Sequence, residues 1–140
     1  MKVSELAEEV KTTPDTVRYY TRMGLLFPLK SETNGYKDYR ENELHRLRFI
    51  LNARQLGFSV KDISQILTEA AKGKTACPLV RDILEKRLEE TELLFQQALT
   101  LRIRMQSAIS EWKNKPNIAP TGHMICHLIE GFSSSPEKEQ

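Results

Sequence analysis

The sequence predicts a mainly α-helical protein in which short helices and one small hairpin precede a single long helix. Three observations support this fold class. Apolar residues recur at helical spacing in four separate segments before residue 72. The dipeptide Asn34-Gly35 is the strongest short hairpin signal in the chain. Residues 78–113 contain no glycine and no internal proline, which predicts a helix of about 54 Å at 1.5 Å per residue.

The first two predicted helices are short and are joined by a tight turn at Lys11-Thr12. Apolar residues at i, i+3, i+4 and i+7 predict the first, over residues 3–10. Thr13 as N-cap, Pro14 at the first helical position and Asp15 in the first turn start the second, and Gly24 ends it. Its predicted apolar face consists of Val17, Tyr20 and Met23. Its opposite face carries groups that hydrogen-bond or carry positive charge, namely Thr16, Arg18, Tyr19 and Arg22.

Two short helices joined in this way are typical of a helix-turn-helix, with the second helix as the recognition helix. A small helical hairpin without a nucleic-acid role is the alternative. The basic, aromatic hairpin between LFPLKSE and YKDYR favours DNA binding, because it suits clamping of a duplex backbone. Residues 12–58 hold eight basic and five acidic side chains, whereas from Lys74 onward there are nine of each. The positive excess therefore lies beside the predicted DNA-reading unit.

Two further helices are predicted as the platform for this unit. The first runs over residues 41–56 and is stopped by Gly57. The second starts at the capping box of Ser59 and Asp62. The predicted buried residues are Leu44, Leu47, Ile50, Leu51 and Leu56 in the first helix, and Ile63, Ile66, Leu67 and Ala70 in the second. The break in pattern at residues 72–75 predicts a domain boundary, so that residues 1–72 form one domain.

The long helix within residues 73–113 carries a coiled-coil seam. Its members alternate in steps of four and three, and they are Leu84, Leu88, Thr91, Phe95, Ala98, Arg102, Met105, Ile109 and Trp112. A small domain cannot cover so long a stripe, which predicts a homodimer; a helix folded back on its own domain is the alternative. Thr91 and Arg102 on the seam favour a polar-tolerant, antiparallel pairing.

A candidate metal site follows the long helix. Residues 114–122 predict a loop, residues 123–130 one or two helical turns, and residues 133–140 a disordered polar tail. On a helix, His123, Cys126 and His127 share one face. Imidazole and thiolate ligands at this spacing suit a tetrahedral divalent ion, zinc first. Cys77 of the other subunit in an antiparallel dimer is the candidate for the fourth position, whereas simple packing of a buried cysteine is the alternative.

Composition excludes several other classes of protein. No run of 18 apolar residues occurs and the N-terminus lacks a signal-peptide core, so we expect a soluble, cytoplasmic protein with no membrane partner. Two cysteines in such a chain are expected to be thiols or metal ligands and not a structural disulfide. No nucleophile elbow, phosphate-cradling loop or paired-carboxylate pocket is visible, which predicts that the protein is not an enzyme.

The whole pattern resembles the MerR family of bacterial transcription regulators. The matching motifs are VRYYTRMGLL (17–26), NGYKDY (34–39) and LRFILNARQLGFSVKDISQIL (47–67), and the resemblance covers residues 1–132. It implies a winged helix-turn-helix domain (1–72), a dimerisation helix in an antiparallel coiled coil (73–113), and a metal-binding loop with a short helix (114–132). It also implies a protein of the bacterial cytoplasm.

The resemblance further implies a mechanism and a set of DNA contacts. Effector binding would make the dimer bend and untwist promoter DNA, so that RNA polymerase engages two promoter elements that are otherwise too far apart. From the recognition helix, bases or phosphates would be contacted by Thr16, Arg18, Tyr19 and Arg22. From the wing, the backbone would be clamped by Tyr36, Lys37, Tyr39 and Arg40.

The chain resembles the short, metal-sensing branch of the family, of the zinc- and cadmium-sensor kind. Too few residues follow Trp112 for a drug-binding domain, and two cysteines cannot hold an iron–sulfur cluster. Cys77 matches the cysteine that divalent-ion sensors carry at the start of the dimerisation helix, and Cys126 matches the one in their short final helix. The loop departs from the pattern, because residues 114–117 replace one or two cysteines.

The sequence therefore predicts a zinc-responsive activator, with cadmium and cobalt as alternative ions and with Cys77, His123, Cys126 and His127 as ligands. A substitution of lost cysteines by His123 or His127 would give a nitrogen-rich site that favours zinc or cobalt. The alternative regulator senses electrophiles or oxidants through Cys77 or Cys126. A metal-storage or structural coiled-coil protein is a third hypothesis, but it leaves the winged helix unexplained.

Overall fold

The computed structural model describes residues 1–133 of the chain and is mainly helical. Two compact units are present, one from Met1 to Leu88 and the other from Glu89 onward. The elements are α1 (Val3–Glu9), α2 (Pro14–Arg22), β1 (Leu29–Lys30), β2 (Lys37–Asp38), α3 (Glu41–Gln55), α4 (Val60–Ala71), α5 (Cys77–Trp112) and α6 (His127–Glu130). The mainly α-helical fold class predicted from the sequence is confirmed. Within residues 1–133, no helix has both the length and the apolar content that crossing a membrane requires.

Helices α1 and α2 form the predicted helix-turn-helix. The Thr13 hydroxyl accepts a hydrogen bond from the Thr16 amide at 3.1 Å, as an N-cap does. Leu6 of α1 and Val17 of α2 are both fully buried in the hydrophobic core. Met23 was predicted on this apolar face, but its side chain is 48% exposed. The reason is that α2 ends at Arg22, so that Met23 is already the C-cap residue.

The predicted hairpin is present and is very short. Strands β1 and β2 pair antiparallel, with Leu29 opposite Asp38 and Lys30 opposite Lys37. Gly35 adopts a φ of +71° in the turn, a conformation that favours glycine. The side-chain oxygen of Asn34 accepts a hydrogen bond from the Tyr36 amide at 3.0 Å and stabilises the turn. We call this hairpin and its turn, residues 29–40, the wing.

Helices α3 and α4 form the platform and supply six of the fifteen buried residues in the core of the first unit. The capping box at the start of α4 is confirmed: the Ser59 amide donates to Asp62 at 2.9 Å and the Asp62 amide donates to the Ser59 hydroxyl at 3.0 Å. Two predictions of burial are wrong. Leu56 is 59% exposed because it is the C-cap of α3, where the chain turns into Gly57. Ala70 is exposed in the last turn of α4.

The first unit extends into the long helix. Ile83 of α5 is buried in its core, and the guanidinium of Arg87 donates to both carboxylate oxygens of Asp62 at 2.8 and 3.0 Å. The sequence placed a boundary after residue 72, which coincides with the turn between α4 and α5. The compact unit nevertheless reaches Leu88, because these contacts attach the first turns of α5 to the platform.

The second unit consists of the rest of α5 and the segment that follows it. The rings of Trp112 and Phe132 meet edge to face with centroids 6.4 Å apart. Residues 113–126 form no helix, as predicted for the first part of this segment. Helix α6 comprises only His127–Glu130, so the prediction of helical turns from residue 123 is wrong at its start. The predicted disordered tail lies outside the described residues, apart from Ser133.

Candidate functional site

The outer face of α2 presents the four side chains predicted from the sequence. Arg18 and Arg22 are exposed, and Arg18 pairs with Asp15 at 3.0 Å on the surface. Tyr19 is 38% exposed and its ring lies edge to face against Tyr20, with centroids 5.1 Å apart. Thr16 is half-buried, and its hydroxyl is hydrogen-bonded to the N-cap hydroxyl of Thr13 at 2.8 Å. The buried side of α2 therefore orients two cations and an aromatic ring outward.

The wing presents three of its four predicted side chains to solvent. Tyr36 is 62% exposed, and Lys37 and Arg40 are exposed as well. Lys37 lies in β2, and Arg40 is the N-cap residue of α3. Exposed cations beside an exposed aromatic ring suit contacts with phosphate and sugar groups.

The prediction for Tyr39 as a surface clamp needs correction. Its side chain is 1% exposed, and its hydroxyl is hydrogen-bonded to that of Thr21 at 2.8 Å. Tyr39 follows β2, and its amide donates to the Met1 carbonyl at 2.8 Å. Tyr39 therefore packs in the core and joins the wing to α2.

Sequence reasoning missed two side chains that shape this surface. The Arg46 guanidinium of α3 donates to the Leu25 carbonyl at 2.8 Å and lies 5.1 Å from the centroid of the Phe27 ring. It thereby holds the connection between α2 and β1. The Lys2 ammonium lies 5.5 Å from the centroid of the Tyr36 ring. Neither contact has a local sequence signal, because the partners are far apart in the chain.

Cys77 begins α5 in the first unit, and its side chain is exposed. Its amide donates to the Thr75 hydroxyl at 3.3 Å. Cys77 borders an apolar groove of about 440 Å³ whose other walls include Phe49 of α3 and Ile66 of α4. The thiol is thus accessible to a partner molecule or ion at the edge of the platform.

The other three candidate ligands lie in the second unit. Cys126 is the N-cap residue of α6 and is half-buried, and the carboxylate of Glu130 accepts from its amide at 2.7 Å. His123 is exposed, whereas His127 is half-buried. The prediction that all three side chains share a helical face is therefore wrong. The Glu130 carboxylate accepts hydrogen bonds from the amides of Ile125 and Cys126, and α6 starts only after these residues.

His127 is oriented by the backbone. Its Nε2 atom lies 2.8 Å from the carbonyl oxygen of Pro116. Because a carbonyl oxygen only accepts, Nε2 must carry the proton in this hydrogen bond. The lone pair of a neutral ring is then on Nδ1, which is the atom left to bind a metal ion.

Within residues 1–133, no three histidine, cysteine, aspartate or glutamate side chains of the single chain converge as a metal site would require. Cys126 and His127 are adjacent in sequence and supply one thiol and one imidazole. A thiolate and an imidazole are donor types that suit zinc, and the two would supply two of the four ligands of a tetrahedral site. A complete site needs further ligands.

Comparisons with known proteins give the family. Residues 1–70 match the family model described as MerR HTH family regulatory protein, and residues 44–108 match the model described as MerR, DNA binding. The HTH-type transcriptional regulator ZntR of Escherichia coli (strain K12) is 32% identical over 106 residues, which are 75% of each chain. A probable heavy metal-dependent transcriptional regulator of Haemophilus influenzae is 32% identical over 104 residues, covering 69% of this chain and 81% of its own.

The fold has solved counterparts. The crystal structure of the transcription regulator PbrR691 from Ralstonia metallidurans CH34, in complex with lead(II), superposes with a TM-score of 0.70. The match covers 94% of this chain and 98% of that one at 21% identity. The winged surface and the two family models lead to the same conclusion: the chain belongs to the MerR family of HTH-type, DNA-binding transcriptional regulators and is not an enzyme.

Proposed function

We propose that this regulator activates transcription in response to a divalent metal ion, with zinc as the preferred ion and cadmium or cobalt as alternatives. The observation that carries the proposal is the pair Cys126 and His127, in which the Pro116 carbonyl leaves Nδ1 of His127 free to coordinate. The metal dependence named for the Haemophilus influenzae relative supports it. A mixed thiolate and imidazole set favours zinc or cobalt over softer ions.

The complete site is shared between two copies of the chain. No three ligands converge within the described part of one chain, and α5 leaves large apolar side chains exposed that a partner helix would cover. In an antiparallel homodimer, Cys77 of one subunit would join Cys126 and His127 of the other, with His123 in the fourth position. Binding across the interface would tie the platform of one subunit to the C-terminal segment of its partner.

The exposed face of α2 and the wing would hold promoter DNA, through Thr16, Arg18, Tyr19, Arg22, Tyr36, Lys37 and Arg40. The metal-bound dimer would bend and untwist the promoter, so that RNA polymerase engages both of its recognition elements. The ion would shift the equilibrium between the inactive and the activating conformation of the dimer only as far as it binds the activating conformation more tightly. The metal ion would thus control whether the dimer deforms the promoter, and the energy required would depend on the deformability of the DNA.

The test is titration of the reduced, metal-free protein with cobalt and then zinc. We expect intense tetrahedral cobalt bands with thiolate charge transfer, lost in Cys77→Ser and in Cys126→Ser. His127→Ala should weaken zinc binding by roughly 100-fold or more, because it removes an oriented ligand. His45 is exposed on α3, so that His45→Ala is the matched control and should bind zinc like the wild type. Retention of tight binding in both cysteine variants would contradict the proposed site.

A thiol switch is the second candidate, because Cys77 is exposed at the edge of the platform. In this case electrophiles or oxidants would modify the thiol and change transcription without any metal. His127→Ala would then leave the transcriptional response intact, whereas a cysteine-to-serine substitution would abolish it. The same set of variants therefore separates the two candidates.

A further inference from the structure

We propose that Lys2 is an additional DNA-binding residue and that it completes a notch which seats one backbone phosphate of the duplex. The notch has a volume of about 530 Å³ and lies between the start of α1, the outer face of α2 and the wing. Its polar walls are Lys2, Ser4, Arg18, Tyr36 and Lys37. The proposal rests on DNA binding by the family and is independent of the metal site.

The charge of the notch selects an anion. Three of its lining residues, Lys2, Arg18 and Lys37, are cationic, and no carboxylate of the described residues lines it. Of the nearby acids, Glu5 accepts a hydrogen bond from the backbone amide of Lys2 and Asp38 pairs with the N-terminal ammonium of Met1. Asp15 pairs with Arg18 at 3.0 Å while its side chain is 95% exposed. Such an exposed pair contributes little free energy, so Arg18 can exchange it for a phosphate at small cost.

The side chain of Lys2 is held in place for this role by its contact with Tyr36, and its backbone by the capping box of α1. Its ammonium group lies 5.5 Å from the centroid of the exposed Tyr36 ring, which is within the range of a cation–π interaction. Its amide donates to the Glu5 carboxylate at 2.9 Å in the capping box of α1. A lysine restrained in this way loses less conformational entropy on binding than a free one.

The position of the notch identifies the phosphate as one of the DNA backbone. Its walls come from α2, which presents Arg18, and from the wing, which presents Tyr36 and Lys37. In the proposed complex, α2 lies in a groove of the duplex and the wing lies over the edge of that groove. A group seated between them is therefore a phosphodiester that lies beside the groove read by α2, and the contact carries no sequence information.

The experiment measures binding to a nonspecific duplex as a function of salt concentration. We expect Lys2→Gln to reduce the slope of log K against log salt by about one per subunit, because one fewer counterion is released. Lys86→Gln is the matched control, since Lys86 is exposed on α5, away from the notch. It removes the same charge and should leave the slope unchanged.

A double-mutant cycle with Tyr36→Leu tests the positioning of the lysine. The loss of affinity in the combined variant should be smaller than the sum of the single losses, because Tyr36 holds Lys2 in the notch. Both residues are exposed, and thermal unfolding is expected to be unchanged. The proposal is overturned if Lys2→Gln keeps the wild-type slope, if Lys86→Gln lowers it equally, or if the two losses are additive. A wild-type protein with no salt-dependent duplex binding would overturn the DNA interface as well.

Discussion

Asp62 receives hydrogen bonds from the N-cap of its own helix and from an arginine of another helix. The guanidinium of Arg87 is the largest cause that lowers the pKa of this carboxyl from 3.8 to about 2, and burial opposes it. Because folding lowers the pKa, the ionised form stabilises the fold above about pH 4. That contribution, about 2 kcal/mol, is lost as the pH falls through 2.

Replacement of Asp62 should therefore be costly at neutral pH and harmless in acid. We expect Asp62→Asn to lower the free energy of unfolding by about 2–3 kcal/mol at pH 7, since an amide cannot pair with both donors of Arg87. The difference from the wild type should shrink as the pH falls below about 4. Denaturant unfolding monitored by circular dichroism at several pH values measures both quantities.

Glu69→Gln provides the matched control in the same helix. Glu69 pairs with Lys72 at 3.4 Å, and both side chains are at least one-third exposed, at 35% and 55%. Its substitution should change the free energy of unfolding by less than about 0.5 kcal/mol. Equal losses in the two variants at pH 7 would show that the Asp62–Arg87 pair does not stabilise the fold as argued.

At the scale of elements, the wing depends on a tyrosine that sequence analysis assigned to its surface. Tyr39→Ala should destabilise the fold by about 3–5 kcal/mol, because it empties a buried aromatic position and removes the bond to Thr21. Tyr36→Ala should instead leave stability within about 0.5 kcal/mol and weaken DNA binding, since its side chain is 62% exposed. Unfolding and fluorescence anisotropy with duplex DNA distinguish the two. Equal stability of the two variants would contradict the placement of Tyr39.

Local signals explain which elements could be predicted. Thr13, Ser59 and Gly24 act within one turn of the helix ends that they determine, and α1 to α5 accordingly begin and end within two residues of the predicted positions. The start of α6 could not be predicted in this way. The Glu130 carboxylate accepts hydrogen bonds from the amides four and five residues earlier. His127 is hydrogen-bonded to the Pro116 carbonyl, eleven residues away. Contacts of this kind have no periodicity that a sequence pattern reveals.

The same contrast between local signals and long-range contacts applies to the candidate sites. The predicted cations of the DNA-binding surface lie on elements with strong local signals, and all four of them are exposed as expected. Tyr39 was assigned to the surface because the contacts that bury it, with Thr21 and with the backbone of Met1, join residues far apart in the chain. The contact between Lys2 and Tyr36 joins residues 34 positions apart, and no local pattern indicates it.

At the scale of the whole molecule, the proposed metal site depends on dimerisation through α5. Side chains of the predicted seam remain exposed in the single chain, including Leu88 at 58%, Phe95 at 61% and Ile109 at 68%. Covering a stripe of this kind is the main source of free energy for a helical dimer. Because Cys77 and Cys126 are proposed to bind one ion from different subunits, dimerisation and metal affinity should be thermodynamically linked.

Phe95→Glu tests this linkage by placing a charge in the middle of the seam. We expect the variant to sediment as a monomer and to lose tight zinc binding, although both cysteines and both histidines are retained. Gln96→Glu introduces the same side chain next to it but off the predicted seam, and it should remain a dimer with wild-type zinc affinity. Sedimentation velocity and zinc titration on the same samples measure both properties. Monomers of Phe95→Glu that bind zinc as tightly as the wild type would place the site within one chain and contradict a shared centre.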